Sequence, residues 1–274
     1  MVEVILLALT FSTPLLLAVL GELTMQRGGI INLGIEGMML TAAMTAVLLA
    51  QTTHNTAAGL LGGIAGALLM AALFGVCTIV LRADQIVTGT AINLLALGVT
   101  GFVYREVGYA AIPQMRTDVF VTISWTAIPL ALAFLLWRTT FGLRLRACGE
   151  NPDAVRASGA SVNAHRWAAL LIEALLVGLA GAFLSLALSS GFAENMTAGR
   201  GFIALSIVIF GRWKVKGAIL GTLVFGVAAA LQYALQAANH GVPFHLLLAV
   251  PYIVTLLILA GVAGKVRAPE SLGR

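Results

Sequence analysis

An all-α, polytopic transmembrane helical bundle is the fold class this sequence predicts, and three observations predict it. Of 274 residues, 60% are apolar and only 10% are charged, with a mean hydropathy of +1.00. A soluble domain usually carries about 25% charged residues, so lipid is the solvent for most of this chain. Apolar windows also follow one another along the whole length, separated by short polar breaks. The positive charges sit in those breaks rather than in a cluster.

The windows fall at about 4–23, 30–50, 57–80, 86–104, 122–137, 167–189, 202–210, 217–237 and 244–262. A helix of about 20 residues, at about 1.5 Å per residue, covers the roughly 30 Å of hydrocarbon. Most windows reach that length, but 202–210 does not. The expectation is about eight to nine membrane segments, one of them short or broken, in a single domain over 1–274. Glu3 stands where a signal peptide would be basic, and no small-residue cleavage site follows the first window, which is therefore expected to be a retained span.

Charge asymmetry orients the bundle. If the loop 138–166 is cytoplasmic and every window crosses, thirteen Lys and Arg fall inside, leaving only three, Arg105, Arg116 and Arg200, outside. This puts the N-terminus outside and the C-terminus in the cytoplasm. A hairpin at 202–210 would send Arg212, Lys214 and Lys216 outside. The short window is therefore expected to cross, extended by 195–201. With Arg200 and Gly201 in it, the stretch must lie in protein, where irregular backbone can be satisfied.

Composition also excludes several functions. The net charge of +5 is explained by topology and carries no aromatic-interleaved basic patch for nucleic acid. Cys77 and Cys148, with the scattered His54, His165, His240 and His245, give no disulfide framework and no metal-ligand spacing. No nucleophile–base pair stands out, so no catalytic residue is predicted. Gly264-Lys265 is followed by Val266 and not by Ser or Thr, so there is no P-loop. Energy from ATP must come through another subunit.

Small residues at helical spacing, Gly59 with Gly63, Gly62 with Gly66 and Gly217 with Gly221, predict close helix packing. A weak echo between 27–33 and 200–205 raises an internal repeat, or chance. The polar run Gly28 to Met39 is poor material for a lipid-facing helix and should face protein or a water-filled cavity. Asn32 and Glu36, four apart, are expected on one helical face, as ligands of a solute pathway or as ties between helices. In the fourth window Asn93 is the better pathway candidate and Thr88 a further one, although the hydroxyls of Thr88 and Thr90 are both expected to bond back to their own helix. Glu173 is expected to snorkel or to form a local ion pair, and Glu22 to sit near Arg27.

The loop 139–160 carries a two-turn helix with signals at both ends. Asn151 caps it, Pro152 opens it, Asp153 suits its positive end and Gly159 provides a left-handed stop. About seven helical residues are too few to stand alone in water, so the helix needs a docking surface. Ala154, Ala157 and Ala160 give it a small-residue face.

The run Gly28 to Met39, the Gly149-Glu150-Asn151-Pro152 loop and the stretch Gly199 to Leu205 resemble inner-membrane permease subunits of bacterial ABC importers. The group is that of branched-chain amino acid, ribose and nucleoside permeases, and the wording Gly-Gly-Ile-Ile-Asn-Leu-Gly-Ile-Glu-Gly is nearest to the nucleoside type. The resemblance implies a second, often non-identical, permease, cytoplasmic ATPases holding ATP and Mg2+, and an extracytoplasmic substrate-binding lipoprotein. It implies no cofactor on this chain. By the same resemblance 149–159, with Gly149, Glu150, Asn151, Pro152, Ala154, Ala157 and Gly159, would be the coupling helix to the ATPase. Sugars or branched-chain amino acids are the alternative cargo. An ion-coupled transporter titrating Glu36 or Glu173 is the competing mechanism.

The charge bias sets a direct test. A reporter active only outside the cytoplasm should be silent when fused after Gly149 and active at His54 or His240, and the reverse pattern would overturn the orientation.

Overall fold

The computed structural model describes residues 2–107, 112–189, 191–237, 253 and 267–273. The last apolar window, 244–262, and the reporter position His240 lie outside the described residues, Ile253 excepted. Every regular element among the described residues is helical.

Helix α1 (Val2–Arg27) is the axis of the bundle. Leu16, Leu17, Ala18, Val19, Leu20 and Leu23 are all fully buried, so 15–20 is apolar all round and covered all round. Pro14 interrupts its hydrogen-bond ladder. Trp125 braces that turn, its indole N–H lying 3.2 Å from the Leu9 carbonyl and 3.1 Å from the Thr13 hydroxyl. After a non-helical turn, α2 (Ile35–Thr53) packs against α3 (Thr56–Gly75), which a wide π-type turn extends to Val80. There follow α4 (Gln85–Val107), α5 (Thr117–Trp125) and α6 (Ala127–Arg138), the last two together forming one broken span. Helix α7 (Thr140–Glu150) and the short α8 (Pro152–Ala157) lead into α9 (Val162–Phe183), which a second π-type turn extends to Leu188. Helices α10 (Arg200–Phe210) and α11 (Val215–Ala237) complete the described bundle.

Six spans among the described residues are long and apolar enough to cross a membrane, at Leu6–Arg27, Ile35–Thr53, Thr56–Val80, Gln85–Val107, Thr117–Arg138 and Val162–Leu188. Helix α10 is short, as its sequence implies, and 195–199 is a set of turns rather than an extension of it. The loop 139–160 is more ordered than expected, since α7 occupies its first half. The echoed segments do not superpose as elements: Arg27 ends α1 whereas Arg200 begins α10.

Glycine spacing sets the closest contacts. A Cβ on Gly63 would lie 2.7 Å from the Ala182 side chain and 2.9 Å from the Gly178 carbonyl oxygen, and one on Gly62 would lie 2.6 Å from the Thr45 carbonyl oxygen. Helix α3 thus brings one face to α9 and the next to α2, as small-xxx-small patterns do in lipid. Burial is uneven. The α1, α2 and α9 windows are each 72% buried, against 22% for α4 and 28% for α5–α6. The apolar faces of α4 and α5–α6 are thus the least covered among these spans.

The ends differ in charge. Arg27 donates to the Trp213 carbonyl and, with Arg146, lies over the Trp137 ring; Arg138, Lys214 and Lys216 line the same end. Arg105 pairs with Glu194 at 3.0 Å at the opposite end.

Candidate functional site

Residues 28–34 form the turn between α1 and α2, and this turn is the polar centre of the molecule. Gly29 takes φ +87°, in the left-handed region that a side chain rarely enters. The turn's backbone groups are taken by side chains from α1, α4 and α9, the last through Arg166 on the Gly28 carbonyl at 3.2 Å. Ile31 N–H donates to Gln85 Oε1 at 2.8 Å and Asn32 N–H to Glu22 Oε1 at 3.3 Å. Asn93 joins the turn to the start of α2, donating to the Leu33 carbonyl of the turn and accepting from Gly37 N–H of α2, each at 2.8 Å.

Asn32 and Glu36 do not share a helical face. Helix α2 starts only at Ile35, because Gly34 occupies the cap position and its N–H folds back to Asn32 Oδ1 at 2.9 Å. Asn32, fully buried, instead donates to Glu173 Oε2 on α9 at 2.9 Å. Glu36 turns to the opposite side, where its two oxygens accept Gly199 N–H at 2.8 Å and Gly201 N–H at 2.6 Å. Its carboxylate thus caps the N-terminus of α10, where orphan N–H groups and the helix dipole favour negative charge. Gly201 is required by closeness: a Cβ there would lie 2.7 Å from Glu36 N and 2.8 Å from Glu36 Cα.

Glu173 neither snorkels nor forms an ion pair. It is fully buried against Asn32 and faces Glu22, because position 173 of α9 points at α1 rather than at the membrane surface. Glu22 is likewise buried and accepts from Gln26 at 2.7 Å, while Gln26 accepts from the Trp213 indole at 2.6 Å. A chain of polar contacts therefore runs Trp213–Gln26–Glu22–Asn32–Glu173, tying the α10–α11 turn, α1, the polar turn and α9. Gln26 and Trp213 were not singled out in the sequence. The only local signal was Gln26 standing four residues after Glu22. Thr88 is half-buried on α4, and the Thr90 hydroxyl bonds back to Ile86 as its helix position predicts.

The second candidate region is the α7–α8 elbow. Asn151 Oδ1 accepts from Asp153 and Ala154 N–H, each at 3.1 Å, Pro152 is the first helical residue and Gly159 has φ +78°. The helix is six residues long. Val155 holds its inner side against Cys148 and Val162, with Ala160 packed there too, so Ala160 leaves the outer face to the exposed Ala154 and Ala157. Glu150 is exposed and Gly149 buried. Burial pushes the Cys148 thiol above its ordinary range, against the pull of Arg166 and Arg156, which marks a packing residue and not a reactive one. Beside α8 lies a cavity of about 400 Å³ bounded by Asn151, Arg156, Arg166, Glu270 and Ser271. At the far end a cavity of about 610 Å³ is lined by Phe102, Arg105, Glu106, Glu194 and Asn195. Among the described residues no group of His, Cys, Asp and Glu is arranged to hold a metal.

These contacts predict a stability phenotype. Glu36→Gln leaves one of two buried N–H groups facing an amide NH2, and Asn93→Leu orphans Gly37 N–H and the Leu33 carbonyl. Each should cost about 1–3 kcal/mol, read as a lower thermal midpoint of the purified protein in detergent. Unchanged midpoints with lost uptake would assign both side chains to solute instead.

Comparison with known proteins agrees with this architecture. The chain is 35% identical to the nucleoside ABC transporter permease protein NupC of Lactococcus lactis, covering 97% of this chain and 93% of that one. It is 33% identical to the guanosine ABC transporter permease protein NupQ of Bacillus subtilis, with the same coverage. A solved ABC transporter of metal-chelate type, in an inward-facing conformation, superposes with a TM-score of 0.51 at 16% identity, over 94% of this chain and 85% of that one. This last likeness concerns the fold alone. Residues 4–259 match the family described as branched-chain amino acid transport system / permease component, and the chain belongs to that family: it is a multi-pass membrane permease and not an enzyme.

Proposed function

We propose that the chain is the pathway-forming subunit of an ATP-driven importer of nucleosides in the bacterial inner membrane. The observation that carries this reading is the similarity to nucleoside and guanosine permeases over nearly the whole chain. ATP and Mg2+ belong to a cytoplasmic ATPase, and this chain supplies no cofactor. The permease crosses eight or nine times, counting the short α10, α11 and the window 244–262. A substrate-binding lipoprotein delivers solute to the outer end, where the cavity beside Phe102, Arg105 and Glu194 is of a size that small-molecule sites use. A second permease, non-identical to this one, covers the open face of α4 or of α5–α6, with lipid on the rest.

Asn32, Glu36, Thr88 and Asn93 belong to the pathway as its frame. Thr88 is half-buried on α4, one residue before the Gly89 that packs on the polar turn, while Asn32, Glu36 and Asn93 hold the backbone that the solute passes. Such a frame suits an importer fed by a binding protein, since a tight internal site would slow release. Helix α8, with Glu150, Asn151 and Pro152 at its start and Gly149 and Gly159 bounding it, is the coupling helix. Ala154 and Ala157 enter a groove in the ATPase, and their exposure beside a buried Val155 supports that role.

One observation favours a different mechanism, ion-coupled transport without an ATPase. Glu22 and Glu173 are buried face to face, and Glu22 Oε2 and Glu173 Oε1 are met by no donor other than the opposing carboxyl, an arrangement that fits a shared proton. The two readings separate in one experiment on vesicles holding the assembled complex. Guanosine uptake should require ATP, and Ala157→Arg should abolish both uptake and co-purification of the ATPase while leaving the permease folded. Uptake driven by an ion gradient alone, or normal ATPase capture by Ala157→Arg, would overturn the proposal.

A further inference from the structure

Helix α7 ends in a way that its own sequence cannot satisfy. The last four carbonyls of a helix have no partner within it. Here Asn151 N–H returns to the Ala147 carbonyl at 2.8 Å, but the next donor in line is Pro152, which has none. Asp153 N–H, the donor after that, is spent on the Asn151 cap. The carbonyls of Cys148 and Gly149 are thereby stranded in a buried position, where an unmade bond is costly.

A segment more than 120 residues away completes them. Ser271 N–H donates to the Gly149 carbonyl at 2.9 Å, and the Ser271 hydroxyl lies 2.7 Å from the same oxygen and 2.9 Å from the Cys148 carbonyl. Ser271 itself is buried. Two residues on, Gly273 N–H reaches the Gly29 carbonyl at 3.2 Å, while Leu272 packs on the main core. The three backbones meet without room for side chains. A Cβ on Gly149 would stand 2.4 Å from the Arg27 carbonyl oxygen, and one on Gly29 would stand 2.7 Å from the Ser271 hydroxyl. Arg166 adds α9 to the same knot through the Gly28 carbonyl at 3.2 Å.

We propose that Pro269–Gly273 is a clasp: it caps α7 from outside and fastens the α7–α8 elbow to the Arg27–Gly29 turn, so that displacement of α8 is passed to the polar turn holding Glu36 and Asn93. Ser271 is its positioning residue. The clasp alone follows from the contacts above. Its part in transmission rests on the reading of α8 as the ATPase docking helix.

The test uses the assembled importer in vesicles, with labelled guanosine as probe and the variants Ser271→Ala and Ser271→Thr. Hydrogen exchange of amides 149–159 reads the clasp without reference to the ATPase, and guanosine taken up per ATP hydrolysed reads transmission. Ser271→Ala should raise exchange at the elbow by about three- to tenfold, the weight of roughly one hydrogen bond. Uptake per ATP should fall by a similar factor with ATPase capture unchanged, and Ser271→Thr, which keeps the hydroxyl, should retain both. Unchanged exchange in Ser271→Ala overturns the clasp. Raised exchange with unaltered uptake per ATP leaves a cap but overturns its part in transmission. A failure of the docking reading is separately visible as normal ATPase capture by Ala157→Arg.

Discussion

An α-helix that begins inside protein at membrane depth must have its first N–H groups met by something other than water, and here that partner is the carboxylate of Glu36. It takes the N–H groups of Gly199 and Gly201 and sets a negative charge at the positive end of α10. Much else in the molecule follows from this contact. Gly201 has to lack a side chain, because the α2 backbone lies where a Cβ would be. Glu36 has to be delivered at a fixed height and angle, so the turn before it is held by Gln85 and Asn93 from α4, Glu22 from α1 and Glu173 from α9. Removing any of these supports would leave the cap to find its geometry by chance.

The same arrangement explains how a bundle with so little charge can be mechanically connected. The polar turn is joined to the α10–α11 turn through Glu22, Gln26 and Trp213, to α9 through Gly28 and Arg166, and to the α7–α8 elbow through Gly29, Gly273 and Ser271. Apolar faces in lipid slide with little penalty, because lipid tails are as apolar as the side chains they replace. Directional hydrogen bonds between backbones do not slide. A permease that must move as a few rigid parts has reason to place its polar contacts where parts join, and to leave the α4 and α5–α6 faces apolar.

Features that depend on local chemistry were readable in the sequence. Length and hydropathy located the helices, glycine spacing located the close contacts of α3, and Asn151, Pro152 and Gly159 marked α8 almost to the residue. What could not be read was pairing over long separations. Asn32 and Glu36 look like neighbours on one face until Gly34 delays the start of α2 and sends them to α9 and α10. Glu173 looks like a group seeking the membrane surface until Glu22 and Asn32 are seen beside it. Ser271 carries no sequence signal, because its partners are two carbonyls 122 and 123 residues earlier. Helix α7 escaped notice because its charged, glycine-containing sequence reads as loop.

The central claim is that Glu36 is held by backbone and not by solute. Amide proton shifts and hydrogen exchange at Gly199 and Gly201, measured by NMR on selectively labelled permease, address it most directly. Both amides should be shifted downfield and strongly protected, and neither should respond to saturating guanosine. Fast exchange at both, or a shift that tracks guanosine, would contradict the account and return Glu36 to the solute.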